Sequence, residues 1–326
     1  MWGVMTPEVL DIYEVDMESA IYVQSVTRRF GDILAVDDLS FEVGSGEIFG
    51  LLGPNGAGKT TTINLIIGLL KRHGGEIRVL GYDPQSQARF VHQRIGLVPQ
   101  ETNVYLELTA MDNLWHHAAL YNDDLSVVKE RAAELLQMMN LWERRGDPVR
   151  TYSGGMKRRL CLARALLHAP EIILFDEPTL GVDVQGRHVL WEHIHSLQEQ
   201  GKTFIISTND MAEADSLCER LVIIDHGKAI ALDTPENLKS GLGRDIVTLH
   251  VTPEINDPED LFADLGMQDY TLFEDGYLHL EVANAEAIVG ELVDRVTDDY
   301  RIDAMRIARP TLDDVFLHHT GRALRD

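Results

Sequence analysis

Gly53-Pro54-Asn55-Gly56-Ala57-Gly58-Lys59-Thr60 is the stretch on which the reading of this 326-residue chain turns. It fits the pattern G-x-x-x-x-G-K-[ST]. Glycines without side chains let consecutive backbone N–H groups turn inward around an anion, and a helix that starts there points its positive end at the same charge. Just before the loop, Ile48 to Leu52 is a short apolar run that predicts a strand; just after it, Thr61 to Leu70 has the apolar spacing of a helix. In that context the loop predicts a nucleoside triphosphate site. Asn55, Gly56, Gly58, Lys59, Thr60 and Thr61 then face the phosphates, with Lys59 spanning β and γ and the Thr60 hydroxyl on Mg²⁺.

Working outward, Glu171-Ile172-Ile173-Leu174-Phe175-Asp176-Glu177 is an apolar strand that ends in two acids. Asp176 can hold Mg²⁺ through water, and Glu177 can orient a water for attack on the γ-phosphate. Alone, such an ending is as well explained by a solvated strand terminus. A phosphate loop about 115 residues upstream turns the reading toward chemistry.

Ile172 to Phe175 and Thr203 to Ser207 lack alternation, as expected of strands covered on both faces of a parallel sheet. Between them Val189, Leu190, Ile194 and Leu197 mark one helical face, closed by Gly201. Ile21 to Val26 and Leu39 to Val43 predict further strands, and residues 126 to 142 a helix. Gly74-Gly75 reads as a turn before a strand at Glu76 to Leu80. Strands alternating with helices give an α/β class. Ser240-Gly241-Leu242-Gly243 reads as a linker. Beyond it come a strand (Ile246–Val251), a helix (Pro258–Leu265), a strand (Tyr270–Phe273), a turn at Asp275-Gly276, a strand (Tyr277–Val282), a helix (Ala285–Asp294) and a strand (Arg301–Ile307). That βαββαβ order is the ferredoxin-like arrangement, a small α+β domain. A last helix opens at Thr311, with Asp314 as its capping-box partner. Three segments follow: an acidic extension at 1–19, a nucleotide-binding domain at 20–240 and an accessory domain at 241–326.

The formal net charge is −24. Residues 1–20 hold five acids and no Lys or Arg, and residues 241–326 hold 19 acids against 7 Arg. Such a surface repels nucleic-acid phosphate and anionic lipid, so neither nucleic-acid binding nor direct lipid binding is expected. Lys157-Arg158-Arg159 is the largest basic run and reads as a solvated helix face. Arg outnumbers Lys 22 to 7, a bias that a high-salt cytoplasm and genomic nucleotide composition would both produce. No window approaches the ~18 apolar residues of a membrane span, and the acidic start excludes a signal peptide, so the chain is expected inside the cell, with Met17 an alternative start. Two distant cysteines, Cys161 and Cys218, suggest neither a disulfide framework nor a zinc site. His116-His117 and His318-His319 read as ordinary helix residues, because neighbours on a helix point about 100° apart.

With these motifs in place, residues 20 to about 240 resemble the nucleotide-binding subunit of an ABC transporter, a P-loop NTPase. Tyr152-Ser153-Gly154-Gly155-Met156 is similar to that family's LSGGQ signature, with Tyr for Leu and Met for Gln. The resemblance implies a head-to-tail homodimer on ATP binding, in which Ser153, Gly154 and Gly155 of one copy close over the γ-phosphate held by Lys59 of the other. It also implies that Phe30 stacks on adenine, that Gln100 touches Mg²⁺ and senses the membrane partner, and that Asp183 crosses to the other subunit. One position departs: Ser207-Thr208-Asn209-Asp210 stands where the family usually reads Ser-Thr-His-Asp. Asn209 can donate to a γ-phosphate but is shorter than histidine and cannot become cationic. Two outcomes stay open: hydrolysis at a reduced rate with Glu177 as base, or ATP binding with very slow turnover.

The tail, Arg309-Pro310-Thr311-Leu312-Asp313-Asp314-Val315-Phe316-Leu317 with Thr320-Gly321-Arg322, is similar to the ending of daunorubicin-resistance-type ABC ATPases. That implies separate permease subunits of the ABC-2 export type, met through Tyr105 to Thr109, and a cytoplasmic position on the inner face of the membrane. A soluble, non-transport ABC ATPase is the rival class. One phosphate loop and one signature per chain, no coiled-coil insertion and the acidic balance weigh against it.

Overall fold

The computed structural model describes residues 19–119, 125–242, 245–253, 261–262, 267–272 and 277–320. The acidic segment at 1–18, most of the helix expected at 258–265, the turn at 275–276 and Gly321-Arg322 lie outside the described residues. The elements run β1 (Ser19–Phe30), β2 (Ile33–Gly44), β3 (Ile48–Leu52), α1 (Lys59–Ile66), β4 (Gly74–Val79), α2 (Ala88–His92), β5 (Ile95–Val98), α3 (Ala110–Ala118), α4 (Leu125–Met138), α5 (Gly154–Leu166), β6 (Ile172–Asp176), α6 (Val184–Glu199) and β7 (Thr203–Thr208). They continue with α7 (Met211–Leu217), β8 (Arg220–Asp225), β9 (Lys228–Asp233), α8 (Pro235–Ser240), β10 (Asp245–Thr252), β11 (Met267–Leu272), β12 (Tyr277–Val282), α9 (Ala285–Asp299), β13 (Arg301–Ala308) and α10 (Leu312–Thr320). Three sheets form among the described residues: β2-β1-β4, β5-β6-β7-β3-β8-β9 and β11-β12-β10-β13.

Two compact units divide the described residues. One gathers the chain up to Phe49 with Gly56–Ser207 and His226–Lys228; the other takes Gly50–Asn55, Thr208–Asp225 and the chain from Ala229 onward. In the first, β1 pairs antiparallel with both neighbours, Ile21 lying opposite Val43 on one side and Val79 on the other. Strands β5, β6 and β7 run parallel, with Val98 beside Phe175 and Asp176 beside Ser207. Every residue of β3, β6 and β7 is buried, as the unbroken apolar runs require. Gly74-Gly75 is not the expected turn. It opens β4 itself, and Gly75 takes φ +79°, where a side chain would collide with the Ser25 carbonyl. Helix α1 ends at Ile66 rather than Leu70, because Gly68 turns to φ +76° with the Pro84 carbonyl 2.3 Å from where its Cβ would sit.

The second unit contains the tail. Its four antiparallel strands in the order β11-β12-β10-β13, with α9 between β12 and β13, are the ferredoxin-like arrangement. Val247, Leu249 and Val251 alternate inward on β10 and meet Leu292 and Val296 of α9 in one core. Helix α10 packs on α7 and α8. Its start is the expected capping box: Thr311 N–H donates to Asp314 Oδ2 at 2.8 Å, and Asp314 N–H donates to Thr311 Oγ1 at 3.3 Å.

Candidate nucleotide site

Strand β3 delivers the phosphate loop and α1 receives it. Gly58 is the residue before the helix, at φ +111°, and a Cβ there would lie 2.5 Å from the Ala35 carbonyl. Only glycine fits both conditions. Gly56, at φ +82°, turns the loop in open space. Asn55, Gly56 and Thr60 are exposed and Thr61 is half-buried, whereas Lys59 is 4% exposed.

Five of the expected residues, Lys59, Thr60, Gln100, Asp176 and Glu177, come together at the end of β6. Thr60 Oγ1 donates to Asp176 Oδ1 at 3.1 Å, and Ser207 Oγ donates to the same oxygen at 2.5 Å. Lys59 Nζ lies 3.8 Å from Glu177 Oε1, and Gln100 Nε2 donates to Glu177 Oε2 at 2.8 Å. Burial pushes the Lys59 ammonium below its ordinary pKa, while the carboxylates of Glu177 and Asp176 pull it back up. Glu177 adopts φ +50°, and its N–H donates to the Ser207 carbonyl at 2.9 Å. A non-glycine residue in that conformation stays there only when its surroundings hold it.

A hydroxyl, a carboxylate and an amide oxygen, from Thr60, Asp176 and Gln100, are the hard donors that Mg²⁺ prefers, with water and phosphate completing its shell. Among the described residues no group of three or more His, Cys, Asp or Glu forms a metal cage, and a phosphate-bound Mg²⁺ needs none.

A second cluster forms at the start of α5. Ser153 is the N-cap, accepting from Met156 N–H at 3.2 Å. A Cβ on Gly154 would come within 3.1 Å of the Gly181 carbonyl, and Gly155 packs against Gly186 and Val182. Asp183, exposed, caps α6 by accepting from Gly186 N–H at 2.7 Å. The signature glycines thus also let the segment around Asp183 approach closely.

Phe30 sits on the turn from β1 to β2 with 42% of its surface exposed, so it is no core residue, and the Arg28 guanidinium lies 4.4 Å from its ring centre. Asn209 lies just beyond β7, half-buried; Thr208, before it, accepts from Gly53 N–H through its carbonyl at 3.3 Å.

The basic run departs from the solvated face expected of it. Arg158 is 2% exposed, and its guanidinium donates to main-chain carbonyls. Arg159 donates to the Met139 carbonyl at 2.8 Å and is held below its ordinary pKa by burial. Nothing in three adjacent cations distinguishes a buried one from a solvated one; the signal was the apolar helix around them.

The loop, the strand-end carboxylates and the helix capped by Ser153 define a P-loop nucleotide-binding protein. The family model for ABC transporters matches residues 36–180, and that for the C-terminal domain of DrrA1-3-like ATP-binding proteins matches residues 234–320. The chain is 37% identical over 310 residues to the linearmycin resistance ATP-binding protein LnrL of Bacillus subtilis, covering 94% of this chain and all of that protein. It is 39% identical over 313 residues to the Nod factor export ATP-binding protein I of Rhizobium meliloti, covering 94% of this chain and 90% of that protein. Among solved structures, the ATP-binding subunit of an ABC transporter superposes with a TM-score of 0.62 at 29% identity, covering 69% of this chain and 94% of its own. The chain belongs to the family of ABC transporter ATP-binding proteins, in the branch with a DrrA-like C-terminal domain.

Proposed function

We propose that this chain binds ATP with Mg²⁺ and hydrolyses it as a head-to-tail homodimer, driving export through separate ABC-2-type permease subunits. The observation that carries the reading is the meeting of Thr60, Asp176, Glu177, Gln100 and Lys59 at the end of one buried strand. Mg²⁺ held there would supply positive charge against the charge that develops on the phosphates. Thr60, Asp176 and Gln100 are its proposed protein partners. Lys59 holds the β- and γ-phosphates, the P-loop N–H groups and Thr61 line them, and Glu177 orients the attacking water. Phe30 is the proposed adenine platform, and Ser153, Gly154, Gly155 and Asp183 are the surfaces offered to the other copy.

Residues 20–240 are proposed as the nucleotide-binding portion and 241–326 as an accessory one. The names of the two relatives, one for resistance and one for export, favour an exporter over a soluble role. No helix among the described residues is long and apolar enough to cross a membrane; the proposed path for cargo is a separate permease. Tyr105 and Leu106, 53% and 46% exposed, sit in the stretch proposed to meet it. That stretch is braced by Asn113, which bonds both the N–H and the carbonyl of Tyr105. The protein would then lie on the cytoplasmic face of the membrane through that contact, without nucleic-acid or direct lipid binding.

A second reading, a nucleotide-gated module with very slow turnover, is favoured by Asn209 alone. Phosphate release from the purified protein separates the two. Steady hydrolysis that rises ~10-fold or more in Asn209→His supports the first reading. No release above background from the wild-type protein, with ATP bound, supports the second.

A further inference from the structure

We infer that Arg158 is a positioning residue for hydrolysis: its guanidinium fixes the main chain that carries Gln100, Asp176 and Glu177. Its Nε donates to the Pro178 carbonyl at 2.7 Å, Nη2 to those of Asp176 and Glu177 at 3.0 and 2.9 Å, and Nη1 to those of Gln100 at 3.3 Å and Pro99. One planar group thereby joins three pieces of chain: the loop after β5, the end of β6 and the helix that opens at Ser153. The five acceptors surround a fork of five N–H donors, which no other side chain supplies. A lysine, with three donors on one point, cannot span both loops.

Glu177 gives the arrangement its purpose. At φ +50° it occupies a region that β-strand geometry does not enforce, and Arg158 grips the carbonyls of that residue and of both its chain neighbours. The same guanidinium grips the residue whose side chain holds the Glu177 carboxylate, Gln100. Loss of the fork therefore frees both ends of the Gln100–Glu177 bond while leaving Lys59, Thr60 and the phosphate loop in place.

The inference rests on the ATPase reading and is tested beside it with full-length wild type, Arg158→Lys and Arg158→Gln. Turnover and KM for ATP are measured together with hydrogen exchange of the backbone amides. The expected result is a fall in kcat of ~10–100-fold with KM within about twofold. Faster exchange is expected in peptides covering 99–101 and 175–179 and unchanged exchange in 53–62. A kcat within twofold of wild type would overturn the inference. So would faster exchange spread evenly over the fold, or confined to α5, either of which marks a packing role. If the wild-type protein does not hydrolyse ATP, the ATPase reading fails, and exchange in the two loops alone still decides whether Arg158 holds them.

Discussion

Gln100 donates to one oxygen of the Glu177 carboxylate at 2.8 Å while Lys59 stands 3.8 Å from the other. Both groups are ones that a bound nucleotide would claim, Lys59 for phosphate and Gln100 for Mg²⁺. On the proposed reading, nucleotide would draw both groups away and leave the carboxylate to orient water. Glu177→Gln keeps the size and one acceptor oxygen but removes the base. Its turnover is expected to fall ~10²–10⁴-fold with ATP binding retained, read by phosphate release and by titration of a fluorescent ATP analogue. Equal hydrolysis by the two proteins would remove Glu177 from the mechanism.

Ser207 has a place in the site that its position in the chain does not announce. Its hydroxyl donates to Asp176 Oδ1 at 2.5 Å, the register of β6 against β7 placing the two side by side. If Asp176 holds Mg²⁺ as proposed, this hydrogen bond sets which of its oxygens faces the ion. Ser207→Ala is expected to raise the Mg²⁺ concentration for half-maximal turnover by ~10-fold or more, with the melting temperature nearly unchanged. An unaltered Mg²⁺ dependence would show that Ser207 only fills the strand.

His117 on α3 carries a pH signature. Burial, joined by the charges of Arg164, His168 and His116, lowers its pKa to about 4 from an ordinary 6.5. Between those values the unfolded chain binds a proton that the folded chain does not, so stability falls as pH drops from about 6.5 toward about 4. In His117→Gln the melting temperature is expected to depend less steeply on pH across that window. The same slope in both proteins would contradict a half-buried His117 that folding keeps neutral.

What was legible in the sequence follows from how local each signal is. The phosphate loop could be read because backbone conformation dictates its composition: Gly58 must be glycine both for its φ and for the Ala35 carbonyl beside it. The buried strands could be read because a short unbroken apolar run between turn residues suits a strand covered on both faces, and β3 and β12 begin and end where expected. The ferredoxin-like tail emerged from element order, since hairpin-sized strands flanking an amphipathic helix leave few packings. Arg158 could not be read this way. Its partners are carbonyls, which every residue has, and they come from segments 18 to 59 positions away. The helix end at Gly68 and the start of β4 at Gly74-Gly75 escaped the sequence for the same reason, because Gly68 and Gly75 each answer to a carbonyl brought close only by the fold.

Two copies are proposed to trap ATP between the Lys59 loop of one and the Ser153 helix end of the other. Light scattering on Glu177→Gln eluting from a gel-filtration column, with and without Mg²⁺-ATP, tests it most directly. Addition of ATP is expected to shift the 36.6 kDa monomer to twice that mass, a shift that Ser153→Arg reverses. A mass that stays at the monomer value with nucleotide bound would contradict it.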